Sequence, residues 1–203
     1  MSSVQIKPTS FLGAVSLLIF CFIPGCIPPS SKTVVLSEGF EQAAAAPLPF
    51  VPNMPPPVIT NEQVHTGNQA VKLDWTRQNA ILCSTTWQAI SNNTWGGMSQ
   101  QFKHLRLKIW AWMPLNRRQS VTISVLVQRP SIIPGNVATL LHIQRLELHQ
   151  VIRQHEQWMP STLFVTLPSE LLPLDEVVVC AWGADISERN NVYLDDVSLE
   201  DAN

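Results

Sequence analysis

Polar and apolar residues alternate over most of the chain beyond residue 70. Val71, Leu73 and Trp75 alternate with Lys72 and Asp74, and Leu105, Leu107, Ile109, Ala111 and Met113 share one side of the run from Phe102 to Met113. Val121, Ile123, Val125 and Val127 repeat the pattern against Thr122, Ser124 and Gln128. A period of two sends successive side chains to opposite faces, so each run predicts a half-buried strand. Further strands are expected over 137–149, 162–167, 177–182 and 192–199. The stretch 137–153 also admits a helix, but its β-branched content and the alternation at Leu146 and Leu148 favour a strand. About eight strands without helical spacers predict an all-β protein, an antiparallel jelly-roll β-sandwich with one core between two sheets.

The first residues follow a different pattern. Lys7 supplies a positive charge ahead of an unbroken apolar run, Phe11 to Ile23, that is too short for a membrane span of about 20 residues. The run ends in Ile23-Pro24-Gly25-Cys26, which resembles the lipobox of bacterial lipoproteins, with Pro24 standing where a small residue is commoner. The reading is a signal peptide over 1–25, cut before Cys26, whose thiol is then acylated and anchors the chain in a membrane. An ordinary secretory signal with an incidental cysteine is the alternative. Ile27 follows the cysteine where an aspartate would imply inner-membrane retention, so in a Gram-negative source the outer membrane is expected. Residues 26–32 read as a tether and 33–203 as the domain, with the Pro-rich 47–57 a surface loop after the first strand.

Composition narrows the chemistry. Charged residues make up 14% of the 203, against about 25% in an average soluble domain. Pro is frequent (16) and Gly is not (8), which excludes a collagen-like chain. The net charge is −2 without a polybasic run, so nucleic acid is not an expected partner. The chain lacks G-x-S-x-G, H-E-x-x-H and a phosphate-cradling Gly loop, so neither an enzyme nor an organic cofactor is expected. His149, His155 and Glu156 read as exposed polar residues. Export would permit a disulfide between Cys83 and Cys180; two separate buried thiols are the other reading.

Several segments resemble carbohydrate-binding modules with a galactose-binding-like jelly-roll fold (the CBM4/9/22 type). Leu36-Ser37-Glu38-Gly39-Phe40-Glu41 is similar to their opening strand, and His65-Thr66-Gly67-Asn68-Gln69-Ala70-Val71-Lys72-Leu73 to their turn and following strand. Leu107-Lys108-Ile109-Trp110-Ala111, then Trp158 with Phe164 to Pro168, and finally Val192 to Leu199 (VYLDDVSL) match in the same order. The resemblance covers roughly 33–200 and implies the jelly roll together with binding of a polysaccharide or glycan.

It also implies a structural Ca2+ joining the first strand, the turn and the last strand: Glu41, the carbonyls of Gly67 and Asn68, and Asp195. A hard cation wants six to eight oxygens, and two carboxylates with loop carbonyls supply much of that. On a regular strand Asp195 shares a face with Val197 and Leu199 and points inward, while Asp196 faces solvent. A sugar platform is expected on the outer face of 102–113, where Trp110 and Trp112 stand beside Arg106 and Lys108, with Gln128, His142 or Gln144 contributed by neighbouring strands. Indole rings stack on the C–H faces of pyranoses while polar neighbours bond the hydroxyls. Trp95, in a Gly-containing loop, is a further ligand candidate; Trp75, Trp87, Trp158 and Trp182 are expected in the core.

Overall fold

The computed structural model describes residues 34–41, 57–92, 104–115, 119–133 and 136–202. The chain divides into a unit Met1–Ser31, outside the described residues, and a unit Lys32–Asn203 that contains all of them. The signal segment, Cys26, most of the Pro-rich stretch and Trp95 therefore lie outside the described residues.

The strands are β1 Val34–Glu38, β2 Val58–Thr60, β3 Ala70–Leu73, β4 Asn79–Thr86, β5 His104–Trp112, β6 Ser120–Arg129, β7 Thr139–Glu147, β8 Trp158–Thr166, β9 Glu176–Ala184 and β10 Val192–Asp201. Two short helices, α1 Trp87–Asn92 and α2 Leu148–Val151, complete the order. One sheet runs β2-β3-β10-β5-β8, with β1 also paired to β10; the other runs β4-β9-β6-β7. Every pairing is antiparallel. This is the jelly-roll sandwich expected from the alternation.

The core is made by the residues that the period of two picks out. Leu105, Leu107, Ile109 and Ala111 of β5 are fully buried against Val121, Ile123, Val125 and Val127 of β6. β9 (EVVVCAWGA) is central in its sheet and buried on both faces over most of its length, so its sequence shows a run rather than an alternation. β4, at the edge of the sheet, lacks a clear two-residue signal for another reason: Ile81 packs in an apolar cluster on the outer face, and a register shift between Ile81 and Cys83 changes the strand's parity. The doubtful stretch 137–153 divides, forming a strand to Glu147 and then one helical turn whose Leu148 plugs the core.

β10 departs from regularity at one point. Asp195 pairs with Trp110 and Ser198 with Lys108, so three steps on β10 match two on β5, and Asp196 takes a left-handed φ of 46°. The extra residue is a β-bulge, and it switches the parity of the strand. Val192 and Leu194 are core residues before it, Val197 and Leu199 after it.

Candidate functional site

The bulge decides where Asp195 goes. Paired side chains share a sheet face, so Asp195 stands on the outer face with Trp110 and not inward with Val197 and Leu199 as a regular strand would have it. It is nonetheless fully buried, because the turn 65–69 folds over it. Its Oδ2 accepts the His65 and Thr66 N–H groups at 3.0 and 3.2 Å, and its Oδ1 accepts the Asp196 N–H at 2.8 Å. Burial still outweighs these bonds and raises the Asp195 pKa. Asp196 is not simply solvated: its Oδ1 accepts from Thr66 Oγ1 at 2.7 Å, and its Oδ2 lies 2.6 Å from His65 Nδ1. A carboxylate only accepts, so His65 holds its proton on Nδ1 there.

Glu41 closes the same turn from the other side. Its Oε1 accepts the Asn68 and Gln69 N–H groups at 2.7 and 3.1 Å, and its Oε2 the Asn68 side-chain amide at 3.2 Å. The Asn68 N–H is the main reason that the Glu41 pKa is lowered. Gly67 has a left-handed φ of 68°, and a Cβ there would overlap the Glu41 carboxylate. Glu41, Gly67, Asn68 and Asp195 are thus brought to one turn, as the calcium expectation requires. The turn, however, aims N–H groups at both carboxylates, where a cation needs oxygens. Among the described residues no group of three or more His, Cys, Asp or Glu is arranged to hold a metal ion. As arranged, this donor set does not fit Ca2+.

The outer face of the six-stranded sheet carries the expected row, and each member has a partner. His65 stacks on Trp110 with ring centroids 3.8 Å apart and planes 18° from parallel. Trp112 meets Tyr193 edge-on at 5.5 Å. Arg106 pairs with Glu200, and Lys108 Nζ donates to the same carboxylate at 2.6 Å. Trp158 lies tilted against His65 at 5.6 Å. Gln128, His142 and Gln144 are not beside this row, because β6 and β7 belong to the other sheet.

The other sheet's outer face holds a cleft of about 280 Å³ lined by Thr122, Ser124, Ile143, Arg145, Glu147 and Trp182. Two rows of the β-ladder build it. Trp182, Thr122 and Glu147 lie side by side across β9, β6 and β7, and Cys180, Ser124 and Arg145 form the next row. Trp182 is 39% exposed and so is not the core residue expected of it; Trp75, at 54%, is not one either. Thr122 Oγ1 lies 2.8 Å from both Glu147 oxygens, which fixes that carboxylate, and His149 Nδ1 stands 3.8 Å from it. Arg145 is exposed beside it. Ser124 is buried at the floor, and its Oγ has no hydrogen-bond partner among the described residues. Behind this polar end, Leu126, Val178 and Cys180 form a small apolar cluster with Ile81 and Ile143.

Cys180 therefore faces the cleft side of its sheet, whereas Cys83 packs against the core on the other side, and both are free thiols. Burial pushes the Cys180 pKa up to about 11, which keeps it protonated and unreactive.

The signal for the cleft was present in the sequence as the outward positions of β6, β7 and β9. Its assembly was not, because it depends on which strands become neighbours.

Among solved structures, the chain is similar to the N-terminal CBM22-1-CBM22-2 tandem domain of Paenibacillus barcinonensis Xyn10C, with a TM-score of 0.50 and 12% identity over 88% of this chain and 52% of that one. It is also similar to a family 16 carbohydrate binding module (TM-score 0.44, 14% identity, 71% of this chain and 84% of that one). A third similar structure is the K3 cleaved adhesin domain of Lys-gingipain from Porphyromonas gingivalis (TM-score 0.45, 15% identity, 83% and 98%). The fold is thus a carbohydrate-binding-module-like jelly-roll sandwich. No family model and no curated protein matches the chain.

Proposed function

We propose that this chain is a non-catalytic glycan-binding protein of the cell envelope, anchored by lipid on Cys26, and that it takes its ligand in the Trp182 cleft. The observation that carries the reading is the Ser124 hydroxyl, buried and unbonded at the floor of a cleft whose wall is an exposed indole. A buried polar group without a partner is costly, and a sugar hydroxyl arriving there would supply one. Trp182 offers its face to the C–H side of a pyranose, while Arg145 and Glu147 supply a donor and an acceptor at the rim. The volume is at the small end of ligand clefts, about 300–1,000 Å³, so it suits a short part of a polysaccharide chain.

Hydrolysis is not part of this reading. A glycosidase of the common kind needs two carboxyl groups flanking the bond, and Glu147 is the one acid among the lining residues. Envelope display is supported by the apolar run and the lipobox-like Ile23 to Cys26, and, in a Gram-negative source, the outer membrane by Ile27. Several acyl chains at roughly 0.8 kcal/mol per buried CH2 would hold the chain on a bilayer.

The test is affinity electrophoresis of the full chain against a panel of neutral and acidic polysaccharides. Retardation on at least one, weakened roughly tenfold or more (about 1.4 kcal/mol) by Trp182→Ala and left unchanged by Trp112→Ala, supports the cleft. The reverse pattern would move binding to the Trp110/Trp112 face. Retardation on none would favour a structural or protein-interaction lipoprotein.

A further inference from the structure

The strand registers sort the loops to two ends of the sandwich. At one end Val34 pairs with Glu200, His104 with Thr166, Thr86 with Glu176 and Arg129 with Thr139. The chain thus enters β1 at the same end as the β6–β7 tip and the 167–175 loop. At the opposite end lie Trp112, Trp158, Glu147 and Ala184, where β5, β7 and β9 finish and β8 begins.

The entry end is fringed with exposed apolar side chains that no described residue covers. Ile132 is 96% exposed, Leu174 is 65% exposed, and Ile133, Val137, Leu172 and Val34 are exposed as well. The fringe is held out by design of its base. Arg129 Nε and Nη2 donate to Asp175 at 2.8 and 2.9 Å, and Nη2 also donates to the Glu170 carbonyl at 3.3 Å, clamping the hairpin to the neighbouring loop. Asp175 in turn accepts the Leu172 N–H at 2.7 Å. Arg129 and Asp175 are paired behind the apolar tips, an arrangement suited to an interface between water and hydrocarbon, while the Glu170 side chain is exposed in the same loop.

Tether length selects the partner. Seven residues separate Cys26 from Val34, and the eight steps between them span at most about 29 Å when fully extended. The ten residues of β6 run roughly 30 Å from end to end. At full stretch the tether only matches the length of the strands, and the 185–191 loop projects past their far ends, so an anchor at Cys26 holds the entry end nearest the membrane.

We propose that the end of the sandwich carrying Ile132, Ile133, Val137, Leu172 and Leu174 docks onto the lipid bilayer that holds the anchor, seating these side chains at the headgroup boundary. The inference rests on the reading of Cys26 as the lipid-bearing residue. It places Trp182, Thr122 and Glu147, which lie towards the opposite end, away from the membrane and open to ligand.

The experiment uses the full lipidated chain in vesicles of phosphatidylethanolamine and phosphatidylglycerol containing a nitroxide-labelled phosphatidylcholine. An environment-sensitive fluorophore is attached in separate variants at Ile133→Cys, Leu172→Cys and Glu188→Cys, the last in the exposed 185–191 loop at the far end. The unsubstituted chain reports background labelling. Loss of fluorescence by nitroxide quenching at 133 and 172, with full intensity at 188, is the expected result. If the chain floats with the vesicles and 133 and 172 remain unquenched, docking is wrong while the anchor stands. If Cys26→Ser leaves the chain on the vesicles with 133 and 172 quenched, the tips dock on their own and the anchor reading fails. A chain that does not float at all overturns both.

Discussion

Asp195 stands opposite Trp110 on the outer face of the six-stranded sheet, and one residue later the bulge at Asp196 returns β10 to its core-facing parity. The carboxylate is buried by a turn and not by the core, and that turn is fastened to it through N–H groups of His65 and Thr66. Replacing Asp195 by Ala leaves these donors and the Asp196 N–H without their acceptor and should cost roughly 2–3 kcal/mol in urea denaturation. The pH dependence has a definite sign. Burial raises the Asp195 pKa on folding, so its contribution is fully present below the ordinary carboxylate range and falls as pH rises through the folded value. The deficit of Asp195→Ala should therefore be larger in acid than at neutral pH.

Glu200 behaves in the opposite sense. Burial opposes its ionisation, but hydrogen bonds from Lys108 and Arg106 prevail and lower its pKa. A lowered carboxylate stabilises the fold above its unfolded pKa, and that stability is lost as pH falls through the folded value. Glu200→Gln should melt lower than the parent at neutral pH and lose less on acidification below the ordinary carboxylate range. Thermal melts of both chains across that range provide the check.

Gly67 and Glu41 are predicted to be coupled. Gly67→Ala forces a left-handed φ on a residue with a Cβ and drives that Cβ into the Glu41 carboxylate, for a loss of roughly 1–3 kcal/mol. In a Glu41→Ala background the overlap disappears and only the backbone strain remains. The same glycine substitution should then cost less, and a double-mutant cycle of denaturation midpoints measures the difference.

The turn 65–69 offers its carboxylates N–H donors in place of oxygens. Calcium should accordingly leave the melting temperature unchanged, and so should EDTA. A rise with calcium that Glu41→Ala and Asp195→Ala each abolish would show that the turn can reverse its peptide groups to admit the ion.

Cys83 and Cys180 lie on opposite sides of one sheet, a geometry that a disulfide cannot bridge. Dithiothreitol should not shift the melting temperature, and Cys180 should react with thiol reagents only after denaturation, since burial both shields it and raises its pKa.

Much of the fold was legible along the chain because half-buried strands write their two faces into alternate residues. β5, β6, β8 and β10 are of this kind, and their inward sets are the core observed. Much of β9 was harder to read, because a strand covered on both faces has no reason to alternate, and β4 because a bulge between Ile81 and Cys83 breaks its parity. The closing VYLDDVSL was recognisable, yet its regular reading put Asp195 on the wrong face. A bulge changes parity without changing composition, so residue types alone do not mark it.

The candidate site divides along the same line. Glu41, Gly67, Asn68 and Asp195 were grouped by the resemblance to carbohydrate-binding modules, and they do meet at one turn. Trp182, Ser124 and Arg145 come from three strands 21 to 58 positions apart, and each looks ordinary in its own segment. Alternation fixes which side chains leave the core together, since that is a property of one strand's pleat. It cannot fix which outward side chains stand together, because strand order is settled by the packing of the two sheets and the long-range pairing that follows from it. The same packing placed an indole beside an unbonded hydroxyl on the four-stranded sheet and covered Trp110 with His65 on the six-stranded one.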